Sequence, residues 1–278
     1  RDALLREINL TPKPGLVDRN DTGAHRDMDY DLFRVSIEAI TPFFKLFYHY
    51  GYQTASISAS ITLPGLRKIG IDCERNMFAK THGVNTHKGA IFSLALLCCG
   101  VGRLTARDEN ININNICSEV SLICKEIIET DFTFPIGKTP QTYGEKIYVQ
   151  YGITGARGEA ASGFRTLRMH ALGPYEESLL KYKSREKAEL IALIWLISKN
   201  VDSNIIARSG LAGLEFAQSR ASRALSVLDH NGYEEFIVEV REMNKIFIYF
   251  NISPGGSADL LSALCFFDNI CQVFSGEV

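Results

Sequence analysis

Apolar residues recur at intervals of three and four through almost all of the 278 residues, and no alternating run is long enough to propose a strand. That periodicity restricts the chain to an all-α fold. It is read here as a single compact multi-helix domain over residues 1–278, with long glycine-rich active-site loops. Phe33, Ile37, Ile40, Phe44 and Phe47 mark one face of a helix from about Leu32 to Tyr50, which Asp29 or Asp31 can cap and Pro42 should kink. Pro64 suits the first turn of a short helix and Asp72 the start of another. Asn85 can cap an apolar helix reaching Arg103, and a further helix is expected from about Glu109 to Glu129. From Asp131 to Arg165 glycine or proline falls every few residues, so a long loop is expected, broken by a short helix near Tyr143 to Tyr151. Helices should follow at about Arg185 to Asn200, capped by Ser184, then Leu211 to Leu228, Tyr233 to Phe250 and Ser257 to Phe274.

Composition narrows the class further. Hydrophobic residues at 46% supply a buried core, and 30 Lys+Arg against 32 Asp+Glu give a net charge of -2. No global field then draws the chain to nucleic acid or an anionic membrane, so any anion must be held by a local cluster. The run "AIFSLALLCCGV", Ala90 to Val101, is shorter than the roughly 20 residues a bilayer demands and reads as a core helix. Seven cysteines, among them Cys98, Cys99, Cys117, Cys124, Cys265 and Cys271 in apolar patterns, lack zinc-site spacing; they read as reduced core residues of a cytoplasmic protein. The opening "RDALLREINL" is charged and helical in pattern, unlike a signal peptide, and starts as though a longer first helix had been cut.

Polar, glycine-bearing islands interrupt the helices. In "GVNTHKGAIFS", Asn85 is a good N-cap, with Thr86, His87 and Lys88 in the first turn, where free N–H groups and the dipole suit a phosphate. A plain capped helix explains Asn85, but not cations placed against the dipole. In "NISPGGSADLL", Ser253, Gly255 and Gly256 form a turn whose N–H groups could meet phosphate. Ser257 can cap the next helix, and Asp259 follows in its first turn; a simple connector accounts for the same letters. "GARGEAASGF" sets Arg157 and Glu159 two apart, on the same side if the segment is extended, as a phosphate grip and a metal ligand or base, or else as a surface ion pair. In "DSNIIARSG", Asp202 and Asn204 are cap-like, while capping gives no reason for Arg208. The densest island is "TPKPGLVDRNDTGAHRDMDYD": two prolines stiffen the backbone around Lys13, His25 could move a proton, and Asp27 shares a side with Asp29 if extended or with Asp31 if helical. Paired carboxylates suit Mg²⁺; a turn of solvated charges is the plainer account.

Together the motifs "EINLTPKPGLVDRNDTGAHRDMDYDLF", "GVNTHKGAIFSLALL", "GARGEAASGF", "DSNIIARSG" and "SPGGSADLL" resemble, in order and over essentially the whole chain, the triphosphoribosyl-dephospho-CoA synthase family, found beside citrate lyase and malonate decarboxylase. The resemblance implies an α-helical transferase that moves the triphosphoribosyl group of ATP to 3'-dephospho-CoA and releases adenine. The product would be the precursor of a prosthetic group passed by a phosphoribosyl transferase to an acyl carrier protein. Ser203, Ser209 and Arg165 stand where the family usually has Thr, Gly and Pro.

A ribose hydroxyl must attack C1' of ATP while the bond to adenine breaks and positive charge builds on the sugar. Lys13, Lys88, Arg157 and Arg208 are the expected phosphate partners, with Asn85, Thr86, Asp202, Asn204, Ser253, Gly255, Gly256 and Ser257 shaping the substrate site. Asp27, Asp29, Glu159 and Asp259 are expected to hold Mg²⁺, and Asp27, Asp29 and Glu159, with His25 and His87, to stabilise charge or move protons. Two rival readings use the same residues: a Mg²⁺-dependent helical nucleotide phosphohydrolase and a non-catalytic nucleotide-binding protein. Nothing in the motifs decides between a monomer and a homo-oligomer.

Overall fold

The apolar run expected to be a core helix becomes the axis of the fold. In the computed structural model, which describes residues 1–133 and 139–275, fourteen α-helices follow one another with no strand among the described residues. They are α1 (Asp2–Asn9), α2 (Tyr30–Gln53), α3 (Leu63–Lys80), α4 (Lys88–Ala106), α5 (Ile113–Ile123), α6 (Ile127–Asp131), α7 (Tyr143–Tyr151), α8 (Gly155–Ala161), α9 (Arg165–His170), α10 (Leu172–Tyr182), α11 (Arg185–Lys199), α12 (Ser203–Asn231), α13 (Tyr233–Tyr249) and α14 (Gly255–Ser275). The all-α expectation holds.

Helix α4 is apolar on every side, and Ile91, Leu94, Leu97, Cys99, Val101 and Leu104 are all buried. Its 19 residues are long and apolar enough to cross a membrane by composition, more than the run Ala90 to Val101 suggested, but α2, α3, α5 and α14 surround it. Two glycines let α2 and α4 touch backbone to backbone. A Cβ at Gly51 would fall 2.1 Å from the Cys99 carbonyl oxygen, and one at Gly102 would fall 2.1 Å from that of Tyr48. Even alanine would push these helices apart.

Several boundaries depart from the sequence reading. Asp29, not Asp31, caps α2, and the helix continues through Pro42. Pro64 begins one long helix that passes through Asp72 without a break, because Leu66, Cys73 and Met77 bury a single face. The expected Glu109–Glu129 helix is two helices, α5 and α6. The long loop expected before Arg165 falls partly outside the described residues at 134–138; its "GARGEAASGF" portion is largely helical, as α8. Helix α12 leaves helical geometry at Gly210, with φ 69°, where a new helix was expected to begin. Five cysteines are buried, but Cys271 is exposed.

Arg103 ties this core together from inside. With 2% exposure, its guanidinium donates to Glu119 at 2.5 Å, to the Ile57 carbonyl at 2.8 Å, to Thr62 Oγ1 at 3.0 Å and to the Thr54 carbonyl. It therefore fastens the α2–α3 connection to α4 and α5. Arg103→Met should cost about 3–5 kcal/mol, since it strands buried acceptors. Arg75→Ala, which removes an exposed pair with Asp72, should cost less than about 0.5 kcal/mol. Urea midpoints of the two variants check the contrast.

Candidate active site

Helix starts converge on a cleft made of two adjoining hollows, of about 500 Å³ and 460 Å³, which share Asn85, Lys88, Gly89, Asn204 and Asp259. The first also takes Lys13, His25, Asp27, Thr86, His87, Arg208, Ser253 and Gly255. The second takes Glu159 and Gly256. All five sequence motifs thus contribute to one region.

At the start of α4 the N-cap position falls to His87 and not to Asn85, which lies two residues earlier, though its Oδ1 still accepts from the Lys88 N–H at 3.1 Å. The helix begins at Lys88, so Thr86 and His87 precede the first turn instead of filling it. Lys88 is half exposed and reaches Glu74 at 3.1 Å. A Cβ at Gly89 would lie 1.8 Å from Asp259 Oδ2, so only glycine lets the Asp259 carboxyl lie against this helix start, where the Ala90 N–H donates to it. Burial, reinforced by the carboxylates of Asp202 and Glu7, pushes the Asp259 pKa well above the usual carboxylate range.

His87 is held by a relay. Thr86 Oγ1 donates to Ser36 Oγ at 2.7 Å, and Ser36 Oγ lies 2.7 Å from His87 Nδ1. Ser36 Oγ, with two lone pairs and one proton, can serve Nδ1 as donor or as acceptor while it accepts from Thr86. Nε2 is buried with no partner, a polar atom left unused in the wall of the first hollow. Burial, aided by the nearby Lys13 charge, lowers the His87 pKa to about 3. His25 sits 2.8 Å from Ser253 Oγ and 3.9 Å from Asp27, and burial with the Arg208 charge lowers its pKa to about 4. Both rings are neutral near pH 7.

The crowded opening stretch divides its labour. Asp18 accepts from the backbone N–H groups of Lys13, Asn20 and Asp21, and Asp21 from Gly23 and from Asn244, which in turn holds the Gly15 N–H. Asp29 accepts from Leu32 N at 2.8 Å, is exposed, and lies outside both hollows. The expected site role of Asp29 is therefore corrected to a helix cap, and only Asp27 faces the cleft. Lys13 is 1% exposed, ion-paired with Glu7 in the floor of the first hollow, and is not the free cation expected of a stiff surface segment.

Asp202 is corrected too. One oxygen accepts from Asn204 N at 3.0 Å and Gly256 N at 3.2 Å, and the other from Ser257 N at 2.8 Å and Ser257 Oγ at 3.0 Å. The Gly256 N–H expected to meet phosphate already serves this carboxylate, as does that of Ser257, which was expected to cap α14 but lies within its first turn. Neither Asp202 nor Ser257 lines a hollow. Arg208 lines the first hollow but gives its guanidinium to Asn251 Oδ1 at 2.5 Å and to the Ala24 carbonyl, bracing the opening stretch.

Because α8 is helical, Arg157 and Glu159 diverge. Arg157 turns to Asp131 at 2.6 Å and over the Phe132 ring, and lies outside both hollows. Glu159 accepts from Thr166 Oγ1 at 2.8 Å and Leu167 N at 3.2 Å, with its pKa raised by burial against those bonds. The expected metal set of Asp27, Asp29, Glu159 and Asp259 does not gather. Among the described residues no three of His, Cys, Asp and Glu are placed to hold an ion. Sequence reading missed Glu7, Tyr143 and Thr166. It also missed Ser36, whose one signal is a hydroxyl on the apolar face of α2. An unfolded histidine takes up a proton below about 6.5 while His87 stays neutral to about 3, so its contribution to stability falls as pH drops through 6.5. His87→Gln should reduce the slope of stability against pH between 4.5 and 6.5 by up to about 1.4 kcal/mol per pH unit. Urea midpoints across that range check it, and an unchanged slope would contradict the burial account.

A family model described as ATP:dephospho-CoA triphosphoribosyl transferase matches residues 1–277. The 2-(5''-triphosphoribosyl)-3'-dephosphocoenzyme-A synthase of Pectobacterium atrosepticum is 44% identical over 94% of this chain and 84% of its own length. The synthase of that name from Escherichia fergusonii is 39% identical over 95% of this chain and 87% of its own length. No solved structure matches. A cleft that collects every one of the five motifs, in a chain matched from end to end, carries the conclusion: this protein belongs to the ATP:dephospho-CoA triphosphoribosyl transferase family.

Proposed function

We propose that the cleft binds ATP beside 3'-dephospho-CoA and that the chain transfers the 5-triphosphoribosyl group of ATP to a ribose hydroxyl of the acceptor. The hydroxyl oxygen bonds to C1' of the ATP ribose, the C1'–N9 bond breaks with its electron pair leaving on adenine, and the hydroxyl proton is balanced by one delivered to adenine. The convergence of the five motifs on two adjoining hollows of nucleotide size supports this most directly.

Residue roles follow from what each group has free. Lys88 borders both hollows and meets the triphosphate; Lys13 and Arg208 raise the local potential from inside their own pairings. The neutral His87 ring offers Nε2 to a polar atom of the donor nucleotide, and no shuttling is required of it. Asp259, at the junction and with its raised pKa, holds the proton for departing adenine. Glu159, fixed by Thr166 and Leu167 and made more basic by burial, takes the hydroxyl proton from the acceptor in the second hollow. With so few unpaired cations, a triphosphate would bring its own neutralisation as MgATP, Asp27 being the carboxylate of the opening stretch that could help to hold the ion, whose charge would offset that of the phosphates.

Incubation with ATP, Mg²⁺ and dephospho-CoA should release adenine only when both substrates are present. Phosphate or pyrophosphate without adenine would favour hydrolysis instead. Glu159→Gln should lower kcat by about 10²–10⁴ with little change in ATP affinity. Calorimetry with Mg²⁺ alone should show no binding, while chelation abolishes turnover; a tight nucleotide-free Mg²⁺ site would refute entry with ATP.

A further inference from the structure

A third hollow, of about 400 Å³, opens between α3 and α4 and adjoins the second through Lys88, Gly89 and Ala156. Its chemistry differs from that of the other two. Leu63, Leu66, Ile71, Ile91, Phe92 and Leu96 line most of it, and Ile71 is 47% exposed. At one end Arg67 and Arg157 both hold Asp131 Oδ2 at 2.6 Å. Two guanidiniums against one carboxylate leave a positive charge, and Lys88, paired at 3.1 Å with Glu74 of the same lining, stands at the border with the polar hollow.

We infer that this groove binds the pantetheine arm of the acceptor, with Arg157 and Arg67 at its diphosphate; the assignment rests on the proposed transfer to dephospho-CoA. The acceptor is a nucleoside, then a diphosphate, then an arm of methyl-bearing carbon and amides. The protein presents a polar hollow, then a cationic border, then an apolar groove, in the same order. ATP has no part that needs an apolar trough. The geometry also gives Arg157 a function after its exclusion from the triphosphate: α8 turns Glu159 toward the acceptor's hydroxyl and Arg157 toward the acceptor's diphosphate, from one short helix.

Gly70 provides a clean test. It lines the groove, and a Cβ added there meets nothing within 4 Å, so a side chain can leave the backbone there in place of a poor helix former. Gly70→Phe should raise the KM for dephospho-CoA at least tenfold, with the KM for ATP within twofold and the melting temperature unchanged. Ile71→Glu, at a half-exposed position, should do the same if Gly70→Phe folds poorly. Unchanged KM for dephospho-CoA in a folded variant, or equal weakening of ATP, would overturn the assignment. Calorimetric binding of dephospho-CoA to wild type and Gly70→Phe reads the groove even if the wild type releases no adenine. In that case the transfer reading falls, while a selective loss of acceptor binding still supports the groove and equal binding to both overturns it.

Discussion

One carboxylate carries the geometry of the cleft. Asp202 closes the first turns of α12 and α14 together, so two helices distant in sequence start from a single point beneath the second hollow. Burial pushes its pKa up, and hydrogen bonds from Ser257, Asn204 and Gly256 restrain that rise by favouring the charged form. Everything lining the cleft from this side, Asn204, Arg208, Ser253, Gly255 and Asp259, takes its position from that junction. Loss of Asp202 would leave several helix-end donors unmet at once, which makes it a structural residue in a place that resembles a binding site.

The cleft therefore meets anionic ligands differently from a bare phosphate-binding turn. Helix starts usually offer free N–H groups. Here the protein supplies its own acceptors, Asn85 at α4 and Asp202 at α12 and α14. Other charges are likewise engaged: Lys13 with Glu7, Arg208 with Asn251, Arg157 with Asp131. Such pairings fix side chains before substrate arrives and lower the ordering cost of binding. They also motivate the proposal that the triphosphate is neutralised by an ion brought with the nucleotide.

How much of this the sequence disclosed depends on the kind of signal. Helical periodicity made the all-α fold, α7, α11, α13 and most of α14 legible, because burial of one face leaves a repeating trace. Ser184 and Asp29 were readable as caps because short polar side chains before apolar runs have a local job. Asn85, Lys88, Glu159 and Asp259 were found as residues of the cleft. Their partners were not, since pairings such as Lys13 with Glu7 or Arg208 with Ala24 depend on tertiary approach. Arg157 was misplaced by one assumption, that glycines imply extended chain. Gly155 and Gly158 instead sit inside a helix whose pitch separates neighbours two apart. Five aspartates in one stretch look like metal ligands in letters; in space Asp18, Asp21 and Asp29 hold backbone.

The position of Asp259 links these strands. As a charged carboxylate against the α4 start it would compete with a phosphate for the same dipole. Its raised pKa favours the neutral form, which does not repel an incoming anion and still accepts from Ala90 N. In the role proposed for Asp259, a bound triphosphate would add negative charge nearby and raise that pKa further, as Asp202 and Glu7 already do, and so secure the proton that the leaving base needs. On the same proposal, once adenine departs with the proton the carboxylate left behind would face a sugar carrying positive charge, and the two would stabilise each other. The same burial that makes Asp259 costly as a static anion makes it suited to a reaction in which it becomes charged only at the transition state.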